Sequence, residues 1–257
     1  MNPKLELIVL GSGAFAPSKN PKQVRNPSGY ALKLPGEILL FDFGFGNLRQ
    51  MARVGLDPAQ VSHLFITHRH LDHLGDLPAI LFHFHYDTTP KKRHLTLCGP
   101  KGFISFFKNL QKTYSPWISP KGYRLSVREM KTNSTLRGRG WMVRTLSVPH
   151  STEAVAYRFE GYQKSFCYTG DTAYDPRIAC FAYRADLFAL ECTLPGPRAR
   201  HGHMTVSQAL HLAQESKSSK SLLTHLSEES LRALKGYSLP KGKTNILVAR
   251  DLQRIAL

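Results

Sequence analysis

The chain has 257 residues, of which 42% are hydrophobic and 21% charged, a balance that excludes wholesale disorder and allows a substantial core. No apolar run approaches the roughly 20 residues needed to span a bilayer, and the start, Met1-Asn2-Pro3-Lys4, lacks the apolar stretch and cleavage site of a secretion signal. The formal net charge is +17, a field that attracts polyanions.

In chain order, Leu5 to Leu10 reads as a buried strand, followed by a turn at Gly11-Ser12-Gly13. Gly11-Ser12-Gly13-Ala14-Phe15-Ala16 has the spacing of a dinucleotide fingerprint, but Pro17 and Pro21 forbid the helix that should follow, so that reading is rejected. Tyr30–Leu34 and Glu37–Phe41 form a hairpin about Pro35-Gly36, and Asn47–Val54 is a helix. Val61–Thr67 is a strand that runs straight into a histidine cluster. Leu77, Ile80, Leu81 and Phe84 then repeat at helical spacing, with Asp76 as N-cap and Pro78 in the first turn.

Further on come a strand at Leu95–Cys98, a helix at Phe103–Leu110 and a strand-rich stretch from Leu125 to Glu160, including Trp141–Val148 and Ala154–Phe159. Ser165–Thr169 and Asp186–Glu191 are strands; Val206, Ala209, Leu210 and Ala213 mark an amphipathic helix capped by Thr205. Ser221–Thr224 is a strand, Leu231–Leu234 a short helix, and Asn245–Ala249 a closing strand. Interleaved strands and helices without a linker or repeat indicate an α/β layered fold in a single domain over 1–257.

His68-Arg69-His70-Leu71-Asp72-His73 packs three imidazoles and a carboxylate into six positions. Helix propensity and core packing do not require that density, whereas zinc takes neutral imidazole and carboxylate as ligands. The order can serve two ions, with His68 and His70 facing one and Asp72 and His73 the other. Other strands also end in potential ligands: Asp42 after Phe41, His150 after Pro149, Asp171 after Thr169-Gly170 and His225 after Thr224. Strand ends gathered on one rim bring such side chains together. His63, His94, His201 and His211 lack ligand-like context, and His83 and His85 read as packing or surface residues on the helix after the cluster.

Together, THRHLDHLGD, His150, TGDT around Asp171 and LLTH around His225 resemble the metallo-β-lactamase superfamily, and more closely its ribonuclease Z and small phosphodiesterase branch. The opening LIVLGSGAFAPS, the FDFG around Asp42 and the terminal VARDLQRIAL share that likeness, which spans nearly the whole chain. The resemblance implies a four-layer αβ/βα sandwich. It also implies that His68, His70 and His150 hold one metal, that Asp72, His73 and His225 hold a second, and that Asp171 bridges them. Asp42 is expected behind the ligands, fixing the metal loops. The expected cofactor is two zinc ions, with manganese an alternative because oxygen-rich sites admit it. Water between two such ions deprotonates near neutral pH, and Asp72 can assist as a base. Related enzymes place a histidine in a His-Ser-Thr-like motif beside a His-Glu-Ala-Thr motif. Here these correspond to His203, as general acid or phosphate ligand at a helix N-terminus, and to Glu191, which orients it; Leu190 stands where the motif has histidine.

Two features bear on the substrate. Lys91, Lys92, Arg93, Lys101, Lys108, Lys112, Lys121, Arg124, Arg128, Lys131, Arg137, Arg139 and Arg144 occur with Glu129 as the one acid among them, which favours RNA or tRNA. The interval from His150 to Asp171, by contrast, holds two strands and a turn, with no room for the long tRNA-gripping arm of ribonuclease Z. The expectation is therefore a dinuclear phosphodiesterase acting on RNA or on a small cyclic phosphodiester. A thioester or lactone hydrolase, and a non-catalytic nucleic-acid-binding protein with structural metals, are the alternatives. Cys98, Cys167, Cys180 and Cys192 form no CxxC, which indicates reduced thiols and a cytoplasmic location. A homodimer is expected by likeness alone.

Overall fold

The computed structural model describes residues 4–14, 24–86, 94–197, 202–237 and 245–257. The first part of the chain runs β1 (Glu6–Gly11), β2 (Gly29–Leu34), β3 (Glu37–Phe43), α1 (Asn47–Arg53), β4 (Val61–Phe65), α2 (Leu71–Leu74), α3 (Leu77–Tyr86), β5 (His94–Gly99), α4 (Phe103–Thr113) and β6 (Arg124–Glu129). The second runs β7 (Thr135–Gly138), β8 (Trp141–Ser147), β9 (Val155–Gly161), β10 (Lys164–Tyr168), α5 (Pro176–Phe181), β11 (Leu187–Glu191), α6 (Val206–Glu215), β12 (Lys220–Thr224), α7 (Glu228–Leu234), β13 (Asn245–Val248) and β14 (Arg254–Ala256).

These strands form two seven-stranded sheets, ordered β14-β1-β2-β3-β4-β5-β6 and β13-β12-β11-β10-β9-β8-β7. In the first, β14 to β3 pair antiparallel and β3 to β6 parallel. In the second, β7 to β10 pair antiparallel and β10 to β13 parallel. The two halves thus repeat one architecture that leaves no periodic trace in the sequence. The inner faces pack on each other through residues such as Leu7, Val9, Phe41 and Phe65 from one sheet and Val143, Tyr157, Phe166 and Leu222 from the other. On β1, Ile8 and Leu10 alternate to the opposite face, under α1 and α3. A third cluster, with Phe188, Leu190, Val206 and Leu210, seals α5 and α6 against the second sheet. Helix, sheet, sheet, helix is the expected αβ/βα order. Burial on both faces explains why the central strands read as unbroken apolar runs.

Two local expectations need correction. Asp76 does not cap its own helix: its Oδ2 accepts from Leu48 N at 2.8 Å, at the start of α1. Burial raises its carboxyl pKa, while backbone donors from Gly46 to Leu48 act in the opposite sense. The closing strand is β14, not β13. Its three residues bury only Ile255, too little for a pattern, and they pair with β1 through the backbone. The one-turn α2 and the six-residue α5 also escape periodicity, being too short to show it. Among the described residues no helix is long and apolar enough to cross a membrane.

Candidate metal centre

The strand pairings place the carboxyl ends of β3, β4, β8, β10, β11 and β12 on one rim. Beyond β4 the chain turns through Thr67, runs extended to His70 and enters α2, which carries Asp72 and His73. Asp171 follows β10, His225 follows β12, and His150 follows β8.

Two groups of donors result. In the first, His70 Nδ1 lies 3.0 Å from His68 Nε2 and 3.2 Å from His150 Nε2, while Asp171 Oδ2 is 3.7 Å and 3.8 Å from the same two Nε2 atoms. In the second, Asp171 Oδ1 is 3.2 Å from His73 Nε2 and 3.4 Å from His225 Nε2. Asp72 Oδ2 is 3.7 Å and 3.4 Å from those nitrogens. Asp171 therefore turns one oxygen into each group, the arrangement the sequence motifs imply.

A divalent metal fits this donor set on an independent observation. His73 Nε2 and Asp171 Oδ1 are fully buried and lack a hydrogen-bond partner, although they face each other. A buried acceptor left unpaired costs about 1–3 kcal/mol, and a cation between these atoms would satisfy both.

The remaining nitrogens fix the tautomers. His73 Nδ1 donates to Asp42 Oδ2 at 2.7 Å. His68 Nδ1 donates to Thr67 Oγ1 at 3.0 Å, and that hydroxyl donates to Asp42 Oδ2 at 2.8 Å. His150 Nδ1 donates to the Gly202 carbonyl at 2.9 Å. His225 Nδ1 donates to Thr193 Oγ1 at 2.8 Å, and that hydroxyl donates to Glu191 Oε2 at 2.7 Å. Each arrangement leaves Nε2 bare toward the pocket. Two buried carboxylates thus stand behind the rim. Asp42 also accepts from Thr67 N at 2.7 Å and Tyr168 Oη at 2.8 Å. Glu191 also accepts from Thr172 N at 2.7 Å, Met204 N at 3.1 Å and His203 Nδ1 at 2.9 Å. Glu191, His203 and His225 lie close enough to suggest a third ion, but the Nδ1 atoms of both imidazoles are already engaged, so this trio is a hydrogen-bonded relay.

Electrostatics agree with these roles. Burial, reinforced by neighbouring His73, holds His68 well below its ordinary pKa, and burial lowers His150. Burial opposes the charged form of Asp171, yet the surrounding histidines hold it well below the carboxylate range; His225 and His73 do the same for Asp72. Burial also opposes charge on His73, but Asp171 and Asp42 raise it well above the imidazole range, so these carboxylates draw a proton to the nitrogen from which a bound cation would displace it. His203 is raised too: burial disfavours its cation, and the bond to Glu191 outweighs it.

Backbone geometry shows how tightly the rim is made. Asp42 and His225 adopt left-handed φ angles of 54° and 51°, rare for non-glycine residues and held here by the bonds described. Gly170 has φ +60°, and a Cβ there would lie 2.6 Å from that of Thr67. At Gly44 a Cβ would lie 2.1 Å from the carbonyl oxygen of Asp72. Gly44→Ala must displace α2 and its two ligands; we expect a loss of about 1–3 kcal/mol, read by thermal denaturation, together with lower metal content.

The residues of both donor groups and His203 reach the rim, and Asp42 and Glu191 stand directly behind it. His203 sits 22% exposed across the second group, its ring stacked on His225 at 5.6 Å. The amides of α6 do not offer the expected phosphate site, because Thr205 and Gln208 close a capping box and Val206 N donates to the Leu194 carbonyl at 2.9 Å. Leu190, where the motif has histidine, points into the helix-side core, so its identity leaves the rim untouched. Thr67, Thr193 and Tyr168 were not singled out from the sequence. Thr193 had one available signal, its place two residues after Glu191, on the same side of an extended chain. His85 bonds the Ser119 carbonyl at 2.7 Å, a packing role, and burial pushes His63 down to about 4. His201, Lys91, Lys92, Arg93 and most of the proline-rich loop after Phe15 lie outside the described residues. The rim opens on a cleft of about 480 Å³ lined by Ala14, His70, Leu71, Asp72, Asp171, Thr193, His203 and His225.

The family model described as "Beta-lactamase superfamily domain" matches residues 38–226, which include every residue of both donor groups. The chain belongs to the β-lactamase superfamily. Its relatives include several ribonucleases Z. It is 35% identical to ribonuclease Z of Pyrococcus abyssi over 156 residues, a match covering 61% of this chain and about half (48%) of that protein. With ribonuclease Z of Pyrococcus horikoshii the identity is 27%, over 98% of this chain and 96% of that one. Human tRNase Z, short form, shares the fold with a TM-score of 0.78 at 22% identity, covering 97% of this chain and 98% of that one. The metallo-β-lactamase fold protein YhfI of Bacillus subtilis does so with a TM-score of 0.82 at 21% identity, covering 99% and 100%. Membership and donor clusters together indicate a metal-dependent hydrolase.

Proposed function

We propose that the chain is a ribonuclease Z-like phosphodiesterase that cleaves RNA with two divalent ions, zinc in the first instance. The observation that carries this reading is the single Asp171 carboxylate, with one oxygen in each of two histidine groups, facing the His203–Glu191 pair across one cleft. His68, His70, His150 and Asp171 would hold one ion, and Asp72, His73, His225 and Asp171 the other. Bound there, two ions supply Lewis acidity toward phosphoryl oxygens and a nucleophile at neutral pH.

The chain's own residues supply orientation and a proton. Asp42, directly and through Thr67, orients His73 and His68 with Nε2 inward, and Glu191 does the same for His225 through Thr193. Asp72 accepts the proton released as the attacking water adds to phosphorus. His203, its Nδ1–H given to Glu191, presents Nε2–H to the leaving oxygen and protonates it as the P–O bond breaks. Because the bond to Glu191 raises its pKa, His203 keeps its proton to higher pH than a free imidazole and loses it as pH climbs through the raised value.

We expect His203→Ala to lower kcat on RNA by about 10²–10⁴-fold with metal content retained, and to abolish the alkaline fall of kcat. A variant with wild-type kcat and an unchanged pH profile would remove His203 from the mechanism. The reading as a whole is tested by 3′ processing of a precursor tRNA alongside a panel of cyclic nucleotides and a thioester. Turnover of the thioester alone would overturn it.

One observation favours small cyclic phosphodiesters as a second reading. β9 and β10 join through Tyr162 and Gln163, with φ of 54° and 59°, a two-residue hairpin turn with no inserted arm.

A further inference from the structure

Between residues 94 and 144 the sequence has ten Lys or Arg against one carboxylate, Glu129. All ten are exposed. Arg144 pairs with Glu160 at 2.9 Å, while Glu129 is engaged elsewhere: its Oε1 accepts from Gly102 N at 2.9 Å and Ile104 N at 3.2 Å, where α4 begins. Among the described residues, no carboxylate pairs with Lys101, Lys108 or Lys112.

α4 buries Phe103 and Phe107 under the first sheet. Lys108 and Lys112, one turn apart, remain on its outer face. Its start abuts the metal centre, since a Cβ on Gly102 would lie 3.6 Å from Nη1 of Arg69, the residue between His68 and His70. From there its eleven residues lead roughly 16 Å away from the rim. At the far end Tyr114 and Trp117 are 43% and 49% exposed. The loop that bears Trp117 is fixed to α3 by the bond from His85 to Ser119.

We propose that the outer face of α4 is an RNA-binding surface continuous with the cleft. Lys101, Lys108 and Lys112 follow the phosphate backbone, and Tyr114 and Trp117 stack unpaired bases beyond them. Unpaired cations interleaved with exposed rings suit single-stranded nucleic acid, because every base offers a face to stack and every nucleotide a charge. The charge imbalance argues against a protein partner, for which so many uncompensated lysines would be unfavourable at the contact. The cleft holds only the nucleotides flanking the scissile bond, so grip on a longer chain has to come from outside it. This inference rests on the reading of the protein as an RNA phosphodiesterase.

The test uses the full, metal-loaded chain and a fluorescein-labelled RNA hairpin with a single-stranded 3′ extension, followed by anisotropy across a salt series. Lys108→Ala with Lys112→Ala is expected to reduce the slope of log Kd against log salt by roughly 1.5–2. Trp117→Ala is expected to weaken binding about tenfold with little change in slope. Both variants should hydrolyse bis-(p-nitrophenyl) phosphate at the wild-type rate. Unchanged affinity and slope in both variants would overturn the proposal. So would light scattering that shows a wild-type dimer dissociated by Trp117→Ala, which would make this face a contact between copies. If the wild-type protein cleaves neither RNA nor the small diester, the catalytic reading fails, while the anisotropy series still decides whether the surface binds RNA.

Discussion

Asp171→Asn is expected to lower phosphodiester hydrolysis by about a thousandfold, the scale of losing a charge-stabilising group in a water-poor site, and to deplete bound metal. The cause is position. Asp171 is 2% exposed and has one oxygen within 3.2–3.4 Å of His73 and His225 and the other within 3.7–3.8 Å of His68 and His150. An amide of the same shape keeps one carbonyl oxygen and presents an N–H₂ group to the other set of bare nitrogens. It removes a negative charge that faces both donor groups. Elemental analysis of the purified variant and its initial rate on bis-(p-nitrophenyl) phosphate read the two effects separately. Full metal content with undiminished turnover would show that this carboxylate is not shared. Asp72→Ala, by contrast, touches one donor group and should spare the ion held by His68, His70 and His150.

The second large effect is expected at Asp42, which touches no cleft atom. Asp42→Ala strands Thr67 N, the Tyr168 hydroxyl and His73 Nδ1 in a fully buried space. Removing one side of a buried charged network costs about 3–5 kcal/mol, which in a chain of this size lowers Tm by roughly 10 °C. Turnover should fall as well, because His73 loses the bond that holds its tautomer and His68 loses the same anchor through Thr67. Thermal denaturation of the metal-free protein isolates the structural part. A melting temperature within 2–3 °C of wild type would mean that water replaces the carboxylate, on the scale of roughly 1 kcal/mol. The left-handed backbone of Asp42 strengthens the expectation, since alanine tolerates that φ less well than aspartate.

Much of the site was legible before any fold was known, for a specific reason. Zinc draws its side-chain ligands mainly from His, Cys, Asp and Glu, and strand ends are where an α/β layered chain displays them. A dense run such as His68 to His73, together with carboxylates and histidines that each follow an apolar strand, therefore stands out without structural help. The central strands were legible because burial on both faces leaves only apolar residues. β14, α2 and α5 were not, because each contributes too few side chains for periodicity, and their backbones are placed by neighbours distant in sequence.

The sequence alone singled out the residues that gather in the two donor groups and the layered class of the fold, since both are written in side-chain chemistry and apolar pattern. Only the tertiary structure decided how the donors divide and what stands behind them. The two oxygens of Asp171 face different donor groups because β10 packs against β3 across the sandwich, and Asp42 and Glu191 each reach a second histidine through the hydroxyl of Thr67 or Thr193. The capping duty of Asp76 toward a different helix is of the same kind. These are through-space hydrogen bonds between residues 31 and 32 positions apart, set by packing of the sheets, and no local pattern along the chain encodes them.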